Sequence, residues 1–188
     1  MSQQDNASSQ NPKQQLRMIW PVDKKTRLPI VLPDGYVLRG FRDEDADAYL
    51  ALMHEAGFTD FNAESLDKMI KNLLPHGFFL IEYVPEHELA ATTMANHQPI
   101  EKYPGAGAIN WVAGAKKHSG RHLGQAAISA ALNCLLSCGY DDIYLTTDDF
   151  RLPALKTYFK MGFVPDFDSG DNEMQKRWNE VFQKLGWR

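Results

Sequence analysis

The stretch Ala108-Ile-Asn-Trp-Val-Ala-Gly114 is mostly apolar, and Lys116-Lys-His-Ser-Gly-Arg-His-Leu-Gly124 follows it almost at once. The first run predicts a buried β-strand, and the second predicts a glycine-containing turn that leads into a helix. A helix N-terminus presents unpaired backbone N–H groups and the positive end of the helix dipole, so it can bind a pyrophosphate without a cationic side chain. Together the strand, turn and helix predict a site for a phosphate-bearing ligand.

A long helix and a second strand–helix pair continue this unit. The helix from His122 to about Ser137 carries small and apolar residues on one stripe, which favours close packing against a sheet. Asp142 to Thr147 is predicted as the next strand and Arg151 to Met161 as the next helix, with Gly162 in a left-handed conformation at its end. This alternation predicts an α/β domain.

Further elements are predicted ahead of this unit. The first is a strand at 36–39, and the second is a helix that begins at Asp43 or Asp45 and ends at Gly57. A helix at 64–73 follows, which Asn62 caps and Pro75 stops. Paired strands are predicted at 78–84 and 89–97. The first strand of the pair is nearly continuous in apolar residues, so we expect it to be buried.

The two ends of the chain carry no motif. Residues 1–15 are rich in Gln, Asn and Ser and are predicted to form a disordered tail, and residues 16–33 an extended lead-in to one domain at 16–188. A helical stripe predicts a C-terminal helix at 171–186; its members are Met174, Trp178, Val181, Phe182 and Leu185. Packing on the parent domain and binding of a partner both explain the stripe, and we favour packing.

Composition narrows the classes of protein. The 188 residues are 44% hydrophobic, which is typical of one globular domain, and the net charge of −4 argues against general attraction to nucleic acid or anionic lipid. No apolar run approaches the roughly 20 residues that span a bilayer, and residues 1–15 lack the hydrophobic stretch of a secretory signal. We therefore expect a soluble cytoplasmic protein with no nucleic-acid or membrane partner, and the sequence is compatible with a homodimer.

The chain contains two cysteines, Cys134 and Cys138, four residues apart on one predicted helix. They are expected to be small buried apolar residues rather than a disulfide. His118 and His122 also have a helical metal-ligand spacing, but the turn before a helix is unsuitable for such a site. Both histidines are expected to be exposed to solvent, and no metal is expected.

At the turn the chain resembles the GCN5-related N-acetyltransferase (GNAT) family, whose acetyl-CoA site has the pattern Arg/Gln-x-x-Gly-x-Gly/Ala there. Gly120, Leu123 and Gly124 match the family. Ser119 stands where the family prefers Arg or Gln, and His122 stands at its middle Gly. The resemblance implies that acetyl-CoA is the bound ligand.

A second block also resembles the family: Thr146-Thr-Asp-Asp-Phe-Arg-Leu-Pro-Ala-Leu-Lys-Thr-Tyr158-Phe-Lys-Met-Gly162-Phe163. It is similar to the family's later strand and helix, in which a helix that carries a Tyr ends at Gly-Phe. The resemblance extends over about residues 36–167. It implies a twisted, mostly antiparallel sheet, flanked by helices, that splays between strands ending near Gly114 and Thr147, with acetyl-CoA in the gap. The family usually has a further antiparallel strand where this chain is predicted to have a C-terminal helix.

The resemblance assigns roles to particular residues. It implies that the backbone of the strand end binds the pantetheine arm and polarises the thioester, and that the turn and helix start donate to the pyrophosphate. The implied cofactor-binding residues are Val112, Ala113, Gly114, Gly120, Arg121, His122, Leu123, Gly124 and Gln125. Tyr158 matches the family's tyrosine that often acts as general acid toward the CoA thiolate. The structural alternatives are a loop that only caps the helix and, for Tyr158, an aromatic on a helix face.

The implied activity is transfer of an acetyl group from acetyl-CoA to a primary amine of a small molecule or peptide by direct attack. The reacting amine must first lose a proton, and Asp148, Glu82 and His97 are candidate acceptors among which the sequence does not choose. Thr146 stands where some relatives have a Glu, and Arg151 stands where many have an Asn that touches the cofactor. Because of these departures, a non-catalytic acyl-CoA-binding or interaction module on the same fold is the alternative.

Overall fold

One open sheet runs through the computed structural model, which describes residues 14–24, 26–167 and 171–187. Its strands are β1 (Leu16–Trp20), β2 (Tyr36–Gly40), β3 (Leu73–Tyr83), β4 (Glu88–His97), β5 (Gly107–Gly114), β6 (Ile143–Thr147) and β7 (Val164–Pro165). The spatial order is β2-β3-β4-β5-β6-β1-β7, and each neighbouring pair is antiparallel except β5 and β6, which are parallel. The predicted single α/β domain with a mostly antiparallel sheet is confirmed.

Helices cover both faces of the sheet. They are α1 (Ala46–Glu55), α2 (Ala63–Ile70), α3 (Leu123–Ser137), α4 (Leu152–Met161) and α5 (Asn172–Leu185). Neighbouring residues of a strand point to opposite faces, so Phe78 and Leu80 pack with α1 and α2 while Ile81 packs with α3. None of the described helices has the length and apolar character that a bilayer-spanning segment needs.

The helix α3 lies close to the sheet because its buried face is made of small residues. Ala126, Ala127, Ala130 and Ala131 are all buried, as the predicted small-residue stripe requires. The helix begins at Leu123, directly after the turn that the sequence predicts as a ligand site. Close packing of α3 therefore fixes the position of that turn relative to β4 and β5.

Residues 16–20 form a strand, so the prediction of an extended lead-in is wrong for this segment. All five residues of β1 pair with β6, from Leu16 opposite Thr147 to Trp20 opposite Ile143, and Met18 and Ile19 also pair with β7. The apolar side chains of Leu16, Met18 and Trp20 are buried in the main core. This alternation of burial is the ordinary period of a half-buried strand, and it is visible in the sequence.

The strand β3 begins at Leu73, which corrects the predicted role of Pro75. The helix α2 ends at Ile70, and Pro75 lies inside the strand instead of stopping the helix. The pairing with β4 is irregular between Leu73 and Phe78, where His76 adopts a left-handed conformation (φ 59°). A proline is tolerated here because the ladder is already interrupted.

The predicted C-terminal helix is confirmed, and it packs on the domain. Asp171 caps α5 by accepting a hydrogen bond from the amide of Met174 (2.8 Å). Trp178 and Val181 are fully buried, and the Trp178 ring lies against Phe159 of α4. Among the two explanations of the apolar stripe, packing on the parent domain is the one that the structure shows.

The buried Arg177 of α5 joins three distant segments. Its Nε and Nη2 donate to the two carboxylate oxygens of Asp149 (2.9 and 2.5 Å), and its Nη1 donates to the carbonyl of Gln14 (2.7 Å). Next to it, the Gln15 amide donates to Asp148 (3.1 Å) and its oxygen accepts from Thr146 (3.0 Å). Residues 14 and 15 are thus attached to the domain, unlike the free tail predicted for 1–15, of which residues 1–13 lie outside the described residues.

We expect Arg177→Gln to lower the stability of the whole domain. Removal of one partner from a buried ion pair costs roughly 3–5 kcal/mol, and partial exposure of Asp149 reduces this to about 2–3 kcal/mol. For a chain of this length the melting temperature falls by roughly 5–10 °C. Lys176→Gln removes the same charge from the exposed neighbouring position and serves as the control. An equal effect of both variants in thermal unfolding would show that the Arg177 contacts contribute nothing specific.

Candidate active site

The strands β5 and β6 separate after three residues. Gly107–Ile109 pair with Ile143–Leu145, but Asn110–Gly114 of β5 have no partner on β6. On its other edge β5 stays paired with β4, where Trp111 and Val112 together face Thr93. Such a bulge bends a strand, and Trp111 takes a left-handed conformation (φ 54°) within it. The bend opens a cleft between β5 and β6, as the family resemblance implies.

A cavity of about 580 Å³ occupies this cleft. Its lining includes every predicted cofactor-binding residue: Val112, Ala113, Gly114, Gly120, Arg121, His122, Leu123, Gly124 and Gln125. The opposite wall comes from α4, through Pro153, Ala154, Thr157 and Tyr158. The structure thus brings both sequence blocks together around one space.

A row of backbone donors borders the cavity. None of the amide N–H groups of residues 120–125 donates a hydrogen bond to an acceptor in the described part of the chain, and the His122 side chain does not cap α3. The first pairing amide of the helix is that of Ala126, which donates to His122 (3.2 Å). Consecutive unpaired amides at a helix N-terminus form an anion-binding concavity. This arrangement fits the pyrophosphate of a CoA molecule.

The packing of the protein does not explain why residue 124 is a glycine. Its φ is not positive, and a Cβ placed on it would meet no atom within 4 Å. Glycine inside a helix costs roughly 0.5–1 kcal/mol relative to alanine, so the backbone alone gives it no advantage. Because Gly124 lines the cavity, the missing side chain preserves room for a ligand close to the backbone.

His122 departs from the family pattern without changing the backbone path. Its φ of 60° and ψ of 18° lie in the left-handed region that favours glycine, and Gly120 before it also has a positive φ of 75°. Histidine is among the residues that occupy this region more readily than most. The His122 side chain is exposed, as predicted, and the turn keeps the shape that a glycine would give.

His118 is buried, so the prediction of an exposed histidine is wrong for this residue. Its Nδ1 shares a hydrogen bond with the Tyr36 hydroxyl (2.8 Å), and its Nε2 lies 3.3 Å from a carboxylate oxygen of Glu88. Lys117 also donates to Glu88 (2.8 Å), and this contact, with a smaller contribution from His118, lowers the pKa of Glu88. The network fastens the turn before α3 to β2 and β4.

Tyr158 lies between the large cavity and a smaller one of about 130 Å³. It is 5% exposed, and its hydroxyl bonds to no group in the described chain. Burial raises the pKa of Tyr158 to about 12, against an opposing effect of the Arg151 charge. The phenol is therefore protonated at neutral pH and can donate its proton to a group in the cleft.

The smaller cavity has an aromatic wall and two charged side chains. Trp111 packs against Phe58 with ring centroids 5.4 Å apart, and both rings line the space. Arg151 and Asp148 lie in the same lining and form an ion pair (3.1 Å). Arg151 does not line the large cavity, so it does not take over the cofactor contact of the family's Asn.

One of the three candidate proton acceptors reaches this space. Asp148 lines the smaller cavity, together with Thr146. Glu82 is engaged with Arg39 (2.5 Å), and His97 with the hydroxyl of Tyr140 (3.0 Å); neither lines either cavity. Sequence reasoning did not separate these candidates because only the fold decides which strand end faces the cleft.

The described residues show neither a metal site nor a disulfide. No group of three or more His, Cys, Asp or Glu residues in 14–24, 26–167 and 171–187 is placed to hold a metal ion. Cys134 and Cys138 are free thiols. Cys134 is half-buried and its pKa is raised by burial to about 11, whereas Cys138 is exposed, which corrects the prediction that both are buried.

Known proteins share this fold. The sequence matches no curated protein. Among solved structures, a GCN5-related N-acetyltransferase from Sphaerobacter thermophilus superposes with a TM-score of 0.65 at 19% identity. The match covers 81% of this chain and 50% of that one, so this chain spans about half the length of that protein. A Trypanosoma brucei acetyltransferase gives 0.57 at 20% identity, over 71% and 96% of the two chains.

A third similar structure contains ligands. The diaminobutyrate acetyltransferase EctA from Paenibacillus lautus, in complex with L-2,4-diaminobutyric acid and coenzyme A, has a TM-score of 0.56 at 16% identity, over 67% of this chain and 74% of that one. At these identities the structures show a common fold and nothing finer.

The family itself is shown by sequence. The model of the acetyltransferase (GNAT) family matches residues 40–163, which is more than half of the chain and includes the bulged strand β5, the unpaired amides and Tyr158. The chain therefore belongs to the GNAT family of acetyltransferases.

Proposed function

We propose that this protein transfers an acetyl group from acetyl-CoA to a primary amine by direct attack. The observation that carries the proposal is the row of unpaired amides at 120–125, which borders a cavity that Tyr158 also lines. Donors for a pyrophosphate and an acid for a leaving thiolate are thus found at two parts of one cleft. A structure with the same fold, EctA, is described in complex with coenzyme A, which supports this choice of donor.

Binding of the donor is assigned to the backbone. The amides of residues 120–125 would hold the pyrophosphate, and Val112–Gly114 would hold the pantetheine arm through the groups that face the gap left by β6. Arg121 would add positive charge; its guanidinium lies 6.0 Å from the Tyr36 ring centre and makes no ion pair with a described residue. Side-chain identity matters little at most of these positions, which explains why the departure from the family pattern at Ser119 is tolerated.

The chain's own groups divide the work of acyl transfer. Acetyl-CoA, when bound, supplies a thioester that is already activated toward amines. Tyr158 donates its proton to the leaving thiolate of CoA. Asp148, which lines the smaller cavity, accepts the proton of an amine bound there. Neither cysteine lines either cavity, which favours direct attack over a covalent intermediate.

We expect acetyl-CoA to stabilise the fold and Gly124→Glu to abolish this effect. A ligand at about 100 times its dissociation constant adds roughly 2.7 kcal/mol, which raises the melting temperature by roughly 5–10 °C. A carboxylate at position 124 repels a pyrophosphate at the helix start and fills the space beside the backbone. The measurement is the thermal shift at millimolar acetyl-CoA.

Gly105→Glu is the control for this experiment. A Cβ at Gly105 also meets no atom within 4 Å, its φ is not positive, and it lines neither cavity, so the variant adds the same charge without blocking the site. Absence of a shift in the wild type would contradict the proposed function. A shift that survives Gly124→Glu would place the phosphates elsewhere.

We expect Tyr158→Phe to lower turnover about a hundredfold on a poor acceptor while acetyl-CoA affinity stays unchanged. General acid assistance is typically worth at least this factor, about 3 kcal/mol in the barrier, and the ring packing is preserved. Because the pKa of Tyr158 is about 12, the loss should be the same from pH 6 to pH 10. The measurement is the release of free thiol from acetyl-CoA with a panel of amines.

Tyr49→Phe is the matched control, since it removes a buried hydroxyl that has no partner among the described residues, from a tyrosine that lines neither cavity. Unchanged turnover in Tyr158→Phe would assign that residue to packing. Acetyl-CoA binding without thiol release by the wild type, across the whole panel, would favour the non-catalytic module.

A further inference from the structure

The guanidinium of Arg151 is held rigidly in the smaller cavity. Its Cζ lies 4.6 Å from the ring centre of Phe58 and 5.5 Å from that of Phe150. Its Nε donates to Asp148 (3.1 Å) and its Nη1 to the carbonyl of Ala56 (3.4 Å). These contacts join the start of α4 to the loop after α1, so the side chain is oriented before any ligand arrives.

Most of the donors of Arg151 are unused. A guanidinium has five N–H groups, and two of them bond to the described residues, which leaves three, including both on Nη2. The Arg151 side chain is 26% exposed and lines the smaller cavity. A planar cation with a free edge is suited to bidentate binding of a carboxylate.

A second arginine of the same protein shows what completes such an arrangement. The Nε of Arg39 donates to Glu82 (2.5 Å), as that of Arg151 does to Asp148, and its Nη1 and Nη2 both donate to the carboxylate of Asp45 (2.7 Å each). Arg39 is thus bound by two carboxylates. Among the described residues, Arg151 has the first carboxylate and no second one.

The charges of the cavity define what would fill it. Asp148 and Arg151 are the charged side chains in its lining, and Val112, Ala154 and Tyr158 line both this cavity and the large one. Arg151 offers a site for an anion, and Asp148 one for an ammonium group. The volume of about 130 Å³ suits a small molecule that carries both groups close together.

We propose that Arg151 binds the carboxylate of the acceptor, so that the acceptor is a small amino acid or similar amino-carboxylate. That the bound molecule is the acceptor rests on the proposed function. That it carries a carboxylate is inferred from the unused N–H groups of the guanidinium. The amine of such a molecule lies on the side of Tyr158 and Val112, which line both cavities. Arg151, which departs from the family's cofactor contact, then selects the substrate.

The first test compares acceptors of similar size that carry either a carboxylate or a neutral carboxamide. Glycine, L-alanine and L-serine are each assayed beside their carboxamides, with thiol release as the readout of kcat/KM. We expect the acid of at least one pair to be preferred by about ten- to a hundredfold, as is usual for hydrogen bonds to a charged group. Arg151→Gln should bring acid and amide to within about twofold while the acetyl-CoA thermal shift is retained.

Two further variants separate binding from folding. Arg151→Lys keeps the charge but not the planar fork, so it should retain the fold and lose part of the preference. Lys156→Gln removes a charge from an exposed position of the same helix that lines neither cavity, and it should keep the full preference. Equal use of acid and amide by the wild type, or an equal loss for both in Arg151→Gln, would overturn the proposal.

A binding measurement keeps the inference testable without turnover. Calorimetry with CoA present compares N-acetyl-L-alanine, a product of the proposed reaction, with N-acetyl-L-alaninamide. Tighter binding of the acid by the wild type and equal binding by Arg151→Gln support the carboxylate site even if the catalytic proposal fails. Equal binding of both by the wild type, or loss of the acetyl-CoA shift in Arg151→Gln, would show that Arg151 serves another purpose.

Discussion

The backbone of β5 sets the constraint on which the rest of the structure depends. A strand needs partners for its N–H and C=O groups on both edges, yet beyond Ile109 this strand has a partner only in β4. The bulge at Trp111 and Val112 turns β5 away from β6, and the two strands do not pair again. A gap between strands is stable only where water or a ligand satisfies the backbone. The cleft is therefore a consequence of the sheet geometry, and its lining follows from which elements the sheet brings to its edges.

The far side of the cleft is held in place by elements that are remote in sequence. The strand β1 fills the position beside β6, and Arg177 of α5 joins Gln14 to Asp149 in the loop after β6. This anchoring places Gln15 on Thr146 and Asp148, so that the N-terminal segment contributes to the wall of the smaller cavity. The acceptor side of the site thus depends on contacts between the two ends of the chain, whereas the cofactor side depends on local sequence at the turn before α3.

This division explains which features could be predicted from the sequence. The turn at 120–125, Tyr158 and the positive φ of Gly162 (107°) follow from short motifs, because a helix start, a helix face and a helix end are local structures. The role of β1 could not be predicted in the same way, since its pairing with β6 depends on tertiary topology, although its alternating pattern was present. The burial of His118 likewise depends on Tyr36 and Glu88, which come from two other strands. No local pattern indicates that Asp148, rather than Glu82 or His97, faces the cleft.

The departures from the family pattern become consistent once each residue is assigned to one side of the cleft. If the amides on the cofactor side bind through the backbone, as proposed, a side chain at His122 is tolerated as long as the left-handed conformation is kept. On the acceptor side, binding depends on side chains, because Phe58, Trp111, Asp148 and Arg151 meet there through tertiary contacts. Under the proposed function, a substitution on the first side would leave the ligand unchanged, whereas a substitution on the second would change which ligand fits. Arg151 belongs to the second side, and the proposal therefore attributes its difference from the family pattern to a change of acceptor rather than to a loss of cofactor binding.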